Sequence, residues 1–222
     1  MEIIARIYTD FKEKFGIPRQ SGISGNISKI VFEPKYRRSE ALRGLEGYSH
    51  IWLIWSFSDI KRTEWSPTVR PPRLGGNKRV GVFATRSPYR PNPIGLSSVK
   101  LIGIEKTKSE GTVLIVEGAD LLNTTPIYDI KPYLAFTDSH PDAICGFADE
   151  VKSNVLSVQI PENIQSALTE SELCELTTLL SEDPRPHYKK DSDEEYGMNF
   201  AKKNVSFKVL DGVLTVTKIT NM

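Results

Sequence analysis

Residues 80–96, Val-Gly-Val-Phe-Ala-Thr-Arg-Ser-Pro-Tyr-Arg-Pro-Asn-Pro-Ile-Gly-Leu, are the stretch around which the chain is organised. A short apolar strand runs there into a loop that contains Pro88, Pro91 and Pro93. Proline fixes φ at about −65° and restricts the preceding residue to extended conformations, so this loop keeps little conformational freedom. Because its ordering entropy is already lost in folding, such a loop is suited to binding a ligand.

The same loop presents hydrogen-bonding groups rather than core side chains, namely Arg86, Tyr89, Arg90 and Asn92. The ordinary alternative is a surface turn with solvated arginines, since most charged side chains are exposed. Two arginines and one asparagine held among three prolines favour a preorganised binding loop instead.

Composition places the chain among ordinary globular proteins. Its 222 residues allow one large or two small domains. No apolar run approaches the roughly 18 residues of a membrane span, and the start Met-Glu-Ile-Ile-Ala-Arg lacks the apolar region of a signal peptide. Cys145 and Cys174 are too few for a disulfide framework or a metal site, so we expect a cytoplasmic protein in which each cysteine is a small buried residue.

Charge is distributed unevenly, although the net charge is only +1. Residues 65–104 contain no Asp or Glu, and they contain seven basic residues: Arg70, Arg73, Lys78, Arg79, Arg86, Arg90 and Lys100. A basic stretch of this kind can attract a polyanion such as a nucleic acid. The alternative is a solvated basic face that acids from elsewhere in the fold balance.

Hydrophobic patterning in the first part of the chain indicates strands. Residues 48–57 form the most apolar segment and predict a strand that is buried on both faces. Residues 39–45 predict a short helix with Ser39 as its N-cap. Further strands are predicted over 3–8, 29–32, 79–84, 96–104 and 112–116. We therefore expect residues 1–138 to be an all-β unit that closes, or nearly closes, into a barrel.

The pattern after residue 138 is that of a small α+β unit, which we expect to span residues 139–222. A strand is predicted over 155–160 and a helix over 161–168. A capping box, Thr169-Glu-Ser-Glu172, opens a helix that runs to Ser181 and ends before Asp183-Pro-Arg-Pro186. Residues 189–195 are charged and expected to be mobile, and Asp211-Gly212 predicts a hairpin between two strands.

Known sequence motifs exclude several enzyme classes. The chain has no Gly-x-Gly-x-x-Gly after a strand, no phosphate-binding loop with its lysine, and no serine-centred nucleophile elbow. His50 has no second His or Cys at metal-ligand spacing, so we expect a structural histidine and no metal. Without reference to any family, the residues indicate a β-rich protein with a preorganised site of Arg, Asn and Asp side chains.

Several motifs in fixed order resemble the TsaA-like family of tRNA (adenine-N6)-methyltransferases over residues 1–138. They are Pro18-Arg-Gln20, Leu42-Arg-Gly-Leu-Glu-Gly47, Ser49-His-Ile-Trp52, Val69-Arg-Pro-Pro-Arg-Leu-Gly-Gly-Asn77, Gly81-Val-Phe-Ala-Thr-Arg-Ser87, Arg90-Pro-Asn-Pro-Ile-Gly95 and Asp129-Ile-Lys-Pro-Tyr133. The likeness resumes at Asp183-Pro-Arg-Pro, Tyr188, Tyr196 and residues 204–209, which are similar to the family's C-terminal domain.

This resemblance implies a single-sheet β-barrel methyltransferase that uses S-adenosylmethionine and acts as a homodimer, with the cofactor in a cleft near the subunit interface. It implies a tRNA substrate whose adenosine beside the anticodon carries a threonylcarbamoyl group on N6. The residues that match the family's cofactor cleft are Pro18, Arg19, Gln20, Ser58, Asp59, Arg86, Leu96, Ala119, Asp120 and Leu121. The chain departs from the family at Ser58, where a His is frequent.

Chemistry suggests roles for further residues. A carbamoylated N6 is a weak nucleophile, so we expect Asp129 or Asp120 to accept its proton and Asn92 to orient the adenine. Phosphate contacts are expected from Arg70, Arg73 and Arg90 and base stacking from Tyr89, while the resemblance directs Arg185 and Tyr188 towards the anticodon arm. Two alternatives remain open: a noncatalytic RNA-binding barrel, and a small-molecule methyltransferase with the same cofactor cleft.

Overall fold

The computed structural model describes residues 1–58, 60, 64–71, 74, 78–150, 156–185 and 194–221. Its strands are β1 (Ala5–Tyr8), β2 (Ile27–Phe32), β3 (His50–Ser56), β4 (Thr68–Val69), β5 (Val80–Gly81), β6 (Ile94–Thr107), β7 (Gly111–Glu117), β8 (Pro126–Pro132), β9 (Ser157–Gln159), β10 (Tyr196–Phe200), β11 (Lys203–Leu210) and β12 (Val213–Asn221). Its α-helices are α1 (Ala135–Asp138), α2 (Phe147–Glu150), α3 (Glu162–Gln165) and α4 (Glu170–Ser181).

Six strands close into a barrel in the order β1-β2-β7-β6-β3-β8, with every neighbouring pair antiparallel. The predicted mainly β, single-sheet barrel is therefore confirmed. β3 is buried on one face only, contrary to the prediction: Ile51, Leu53 and Trp55 point into the barrel, while Trp52 and Ile54 are half-buried. The reason is that an antiparallel barrel packs only its inner face against the core. On the outer face of β3, Trp52 borders the cavity described below.

Two predicted elements of the first half have other boundaries in the structure. The expected helix over 39–45 is replaced by two 3₁₀ turns, Ser39–Leu42 and Leu45–Gly47, because Gly44 between them has φ 89°. The strand expected over 79–84 ends after Gly81 and continues as a 3₁₀ turn, Val82–Ala84. The hairpin of β6 and β7 forms as predicted.

The second half contains a sheet in the order β10-β11-β12-β9, against which α4 packs Leu176, Leu179 and Leu180. The capping box of α4 is present, with Thr169 and Glu172 bonded reciprocally, and the hairpin at Asp211-Gly212 joins β11 to β12. The predicted helix over 161–168 is shorter and covers Glu162–Gln165. Most of the charged segment 189–195 lies outside the described residues, and the boundary between units at residue 138 stays a prediction.

Both cysteines are exposed, so the prediction that each is buried is wrong. Cys174 lies on α4 away from the leucine stripe that faces the sheet, and Cys145 lies in the exposed segment before α2. A thiol on a helix packs only if its position falls on the apolar face. Within the described part of the chain, every helix is too short or too polar to cross a lipid bilayer.

The two sheets contact each other through the segment between β1 and β2. Phe15 stacks on Phe207 of β11 with ring centroids 6.4 Å apart, and Asn199 Nδ2 of β10 donates to Glu13 Oε1 at 2.8 Å. Arg19 donates from Nη2 to the carbonyl oxygen of Asp183, directly after α4. The same segment therefore carries one wall of the cavity and the contact with the second sheet.

Candidate active site

A cavity of about 1270 Å³ lies against the end of the barrel. Four parts of the chain form its walls: the loop 17–21, the end of β3 with the residues that follow it, residues 85–93 with the start of β6, and the segment after β7. Residues 85–93 contain Pro88, Pro91 and Pro93, and we call them the proline-braced loop. All four were singled out in the sequence, and the structure brings them together around one space.

The carboxyl group of Asp120 lines this cavity and ends a chain of hydrogen bonds. Trp55 Nε1 donates to Ser97 Oγ at 2.9 Å, and Ser97 Oγ donates to Asp120 Oδ1 at 2.6 Å. The indole nitrogen of tryptophan can only donate, which fixes the first bond, and an ionised carboxylate can only accept, which fixes the second. Ser97 therefore offers its single hydroxyl proton to Asp120, and Asp120 Oδ1 accepts it.

Gly95 explains why Trp55 can occupy its position. Gly95 and Trp55 are register partners on β6 and β3, and a Cβ on Gly95 would lie 2.2 Å from a ring carbon of Trp55. No side chain fits there, so the indole lies flat against the glycine backbone. Phe57 holds the ring from another side, edge to face at 4.3 Å.

The pKa of Asp120 is raised above its ordinary value, chiefly because burial disfavours the charged form. The hydrogen bond from Ser97 opposes this rise, as do the backbone N–H of Asp120, the positive charge of Arg86 and the backbone N–H of Ser21. The residue is thus a carboxylate whose affinity for a proton is increased by its surroundings, as a proton acceptor in a reaction requires.

Arg86 belongs to a second network, which runs along the cavity wall to the turn after α4. Arg86 Nη1 donates to Gln20 Oε1, and Gln20 Nε2 donates to the carbonyl of Arg19 at 2.6 Å. Arg19 in turn contacts the carbonyl of Asp183. The loop 18–20 is therefore fixed between the arginine of the proline-braced loop and the second sheet.

The proline-braced loop is held by its own side chains. Arg90 Nη1 donates to the carbonyl of Thr85 at 2.7 Å, and Thr85 Oγ1 donates to the carbonyl of Val82 at 2.8 Å. The guanidinium of Arg90 thus stabilises the loop conformation, a role that its sequence position did not reveal; its phosphate contact stays a prediction.

Most of the predicted cofactor residues line the cavity: Pro18, Arg19, Gln20, Ser58, Arg86, Leu96 and Asp120, together with Tyr89 and Arg90 from the predicted RNA contacts. Ala119 and Leu121 flank Asp120 but are buried in the barrel core, so their packing fixes the backbone that carries Asp120. Asp59, Arg73 and Tyr188 lie outside the described residues.

Asp129, the other predicted proton acceptor, does not line the cavity formed by the described residues. It pairs with Ile54 in the register of β8 and β3, on the outer face of the barrel, and its Oδ2 lies 2.8 Å from Lys131 Nζ. Asn92 is exposed in the loop, and its backbone carbonyl oxygen accepts the backbone N–H of Ile94 at 2.8 Å. Neither side chain is directed to the reaction by a contact in the structure.

Of the predicted RNA-binding arginines, Arg70 is exposed directly after β4. Arg185 is 8 % exposed and forms a two-pronged ion pair with Asp183, with Nε to Oδ1 at 2.9 Å and Nη2 to Oδ2 at 3.0 Å. Arg185 therefore holds the turn after α4, next to the carbonyl that Arg19 contacts.

Sequence reasoning missed Ser97 and Trp55. The available signal was the pair Ser97-Ser98 between apolar residues at the start of β6, since a serine that faces a barrel interior needs a hydrogen-bond partner. In the ranges that the structure describes, no group of three or more His, Cys, Asp or Glu side chains could hold a metal ion.

Residues 6–139 match the tRNA-methyltransferase O N-terminal domain, and residues 153–222 match the TrmO C-terminal domain. The chain belongs to the TrmO family. It is 41 % identical over 222 residues to the tRNA (adenine(37)-N6)-methyltransferase of Escherichia coli K12, which covers 95 % of this chain and 93 % of that protein. The human tRNA (adenine(37)-N6)-methyltransferase is 34 % identical over 84 % of this chain and 42 % of its own length.

Solved structures of the TrmO family share the whole architecture. The crystal structure of TrmO from P. aeruginosa superposes with a TM-score of 0.78 at 30 % identity and covers 99 % of this chain and 95 % of that one. The resemblance that the sequence motifs indicated is therefore confirmed across both sheets.

Proposed function

We propose that this protein is a tRNA methyltransferase that uses S-adenosylmethionine to methylate N6 of adenosine 37, the threonylcarbamoyl-modified base next to the anticodon. The single observation that carries the proposal is the cavity in which Asp120, a carboxylate of raised pKa, lies near Arg86 in a chain of the TrmO family. Relatives with 41 % and 34 % identity are named for this reaction.

The side chains of the cavity fit the methyl donor. When bound, S-adenosylmethionine supplies a methyl group on a positively charged sulfur. Asp120 offers the negative charge that suits a cationic ligand, while Arg19 and Arg86 offer guanidinium groups for a carboxylate. Leu96 and Pro18 supply apolar surface, and Gln20, Ser58 and Asp59 complete the proposed set.

Asp120 is the proposed proton acceptor for the N6 nitrogen. The hydrogen bond from Ser97 orients this carboxylate, and the proton that leaves the nitrogen goes to it. Asp129 is disfavoured for this role because it is paired with Lys131 outside the cavity. A stiff loop that fixes the positions of the reacting groups supplies the remaining part of the rate enhancement, since methyl transfer needs in-line alignment.

The proposed tRNA contacts extend from the cavity over the basic stretch, with Arg70, Arg73 and Arg90 on phosphates, Tyr89 on a base, and the second sheet with Arg185 and Tyr188 near the anticodon arm. We further propose a homodimer, which would cover exposed apolar side chains on β6, where Leu96 is 59 % and Ile102 is 46 % exposed. The proposed compartment is the cytoplasm, where the two free thiols remain reduced, and the proposed reaction needs no metal.

Incubation with methyl-labelled S-adenosylmethionine and an unmethylated, threonylcarbamoylated tRNA tests the proposal. We expect label in the tRNA, and none in a matched tRNA that carries guanosine at position 37. Binding of tRNA and donor without transfer would establish the noncatalytic alternative. Transfer to small acceptors but to no tRNA would establish the small-molecule alternative.

A further inference from the structure

Two aromatic rings lie exposed on the surface next to the proline-braced loop. Trp65, before β4, and Phe83, after β5, stack with ring centroids 6.3 Å apart at an interplanar angle of 26°. Trp65 is 51 % exposed and Phe83 is 71 % exposed. We call this pair the Trp65–Phe83 platform.

The platform is held by the backbone rather than by the barrel core. β4 and β5 pair through Thr68 with Gly81, and the N–H of Val82 donates to the carbonyl of Pro67 at 2.9 Å. Val82 is buried whereas its neighbour Phe83 points outward. The hairpin thus fixes two large apolar rings in solvent, which costs free energy unless a partner covers them.

The charge around the platform indicates the kind of partner. Arg90 Cζ lies 5.8 Å from the centroid of the Phe83 ring, and Arg79 lies on the same hairpin, bonded to Thr68. The sequence of residues 65–104 contains no acidic residue at all. A second copy of this chain would bring the same positive hairpin and be repelled, whereas a polyanion with flat apolar faces matches both features.

We propose that the Trp65–Phe83 platform stacks an unpaired base of the RNA substrate. The platform adjoins the active site, since Thr85, Arg86 and Tyr89 of the segment that follows Phe83 line the cavity. Stacking on aromatic rings tolerates any base, so the platform positions the anticodon loop without selecting its sequence. This inference rests on the proposed function, because it requires an RNA substrate.

Binding of a fluorescent anticodon stem-loop at about 50, 100 and 200 mM salt tests the platform. We expect Phe83→Ala and Trp65→Ala to weaken binding about tenfold at every salt concentration, because they remove stacking and no charge. Phe83→Tyr retains the affinity. Arg70→Gln, in contrast, reduces the slope of log affinity against log salt by about 1.

Phe136→Ala is the matched control, because Phe136 is 84 % exposed on α1 and belongs to neither strand of the hairpin. If Phe83→Ala binds RNA as tightly as the wild-type protein does, the proposed base-stacking role of the platform is overturned and the proposed function stands. Failure of the wild-type protein to bind RNA overturns the proposed function itself. A dimer of the wild-type chain that dissociates in Phe83→Ala identifies a second copy as the occupant and likewise overturns the inference.

Discussion

Asp120 owes its proposed reactivity to three side chains that lie on other strands or loops. Burial raises its pKa, and the Ser97 hydroxyl and the Arg86 guanidinium hold that rise in check. Because Trp55 donates to Ser97, the serine cannot turn its proton elsewhere without losing a buried hydrogen bond. Ser97 therefore holds one oxygen of Asp120, and the backbone N–H groups of Ser21 and Asp120 also donate to the carboxylate.

Ser97→Ala tests this arrangement through the pH dependence of the reaction. Ser97 stabilises the charged carboxylate, so its removal raises the pKa of Asp120 further, and a smaller fraction of Asp120 is ionised at any pH near that pKa. We expect the acidic limb of the single-turnover rate profile to move to higher pH, and the carboxyl resonance of Asp120 to titrate with it. Ser97→Thr restores the limb, and Ser98→Ala leaves it in place; an unmoved limb in Ser97→Ala contradicts the arrangement.

At the scale of elements, β3 and β6 depend on the absence of a side chain at Gly95. The indole of Trp55 occupies the space where a Cβ would stand, 2.2 Å away. Both strands follow this contact with cavity residues, Phe57 and Ser58 after β3 and Leu96 within β6. A shift of the indole therefore disturbs the barrel end and the cavity together.

Gly95→Ala should lower the free energy of unfolding by about 1–3 kcal/mol, the usual cost of overpacking a core. Methyl transfer should fall as well, because the displaced indole no longer donates to Ser97. Urea denaturation and a transfer assay measure the two effects. Gly103→Ala on the same strand is the control, since a Cβ there meets nothing within 4 Å; equal behaviour of the two variants would refute the packing argument.

The sequence predicted those elements of the fold that depend on residues close together in the chain. Apolar runs identified five of the six barrel strands but missed β8, where Asp129 and Lys131 interrupt the apolar pattern. Thr169 and Glu172 identified the start of α4, and Asp211-Gly212 identified a hairpin. The bond from Trp55 to Ser97 joins residues 42 positions apart, so it follows from strand pairing and not from local pattern. For the same reason the sequence left Asp120 and Asp129 as equal candidates, although only the former reaches the cavity.

At the scale of the whole molecule, the two sheets meet across opposed acidic groups. The pKa of Glu175 on α4 is raised, first by burial and then by the negative charges of Asp10, Glu172 and Glu117. Asp10 and Glu117 belong to the barrel half of the chain, so part of the electrostatic repulsion on Glu175 comes from the barrel. Phe15, Glu13 and Arg19 provide the attractive contacts that offset it.

Glu175→Gln should therefore stabilise the protein at neutral pH. A carboxyl whose pKa is raised on folding binds more protons in the folded state, so stability falls as pH rises through the interval between the unfolded and folded pKa values. We expect a rise in Tm of about 1–2 °C at pH near 7.5, given about 2–4 °C per kcal/mol for a chain of this size, and no rise at pH near 3.5. Glu170→Gln, at an exposed position, should show no gain; a Glu175 variant without a pH-dependent gain would contradict this account.

The single-turnover rate of methyl transfer to tRNA, measured in Asp120→Asn beside Asp129→Asn, tests the central claim most directly. Asparagine keeps the shape of the carboxyl group but cannot accept the proton of N6. The account predicts a rate about 10²- to 10⁴-fold lower for Asp120→Asn and a rate near that of the wild-type protein for Asp129→Asn. A wild-type rate in Asp120→Asn would show that the buried carboxylate is not the proton acceptor and that the chemistry is carried elsewhere.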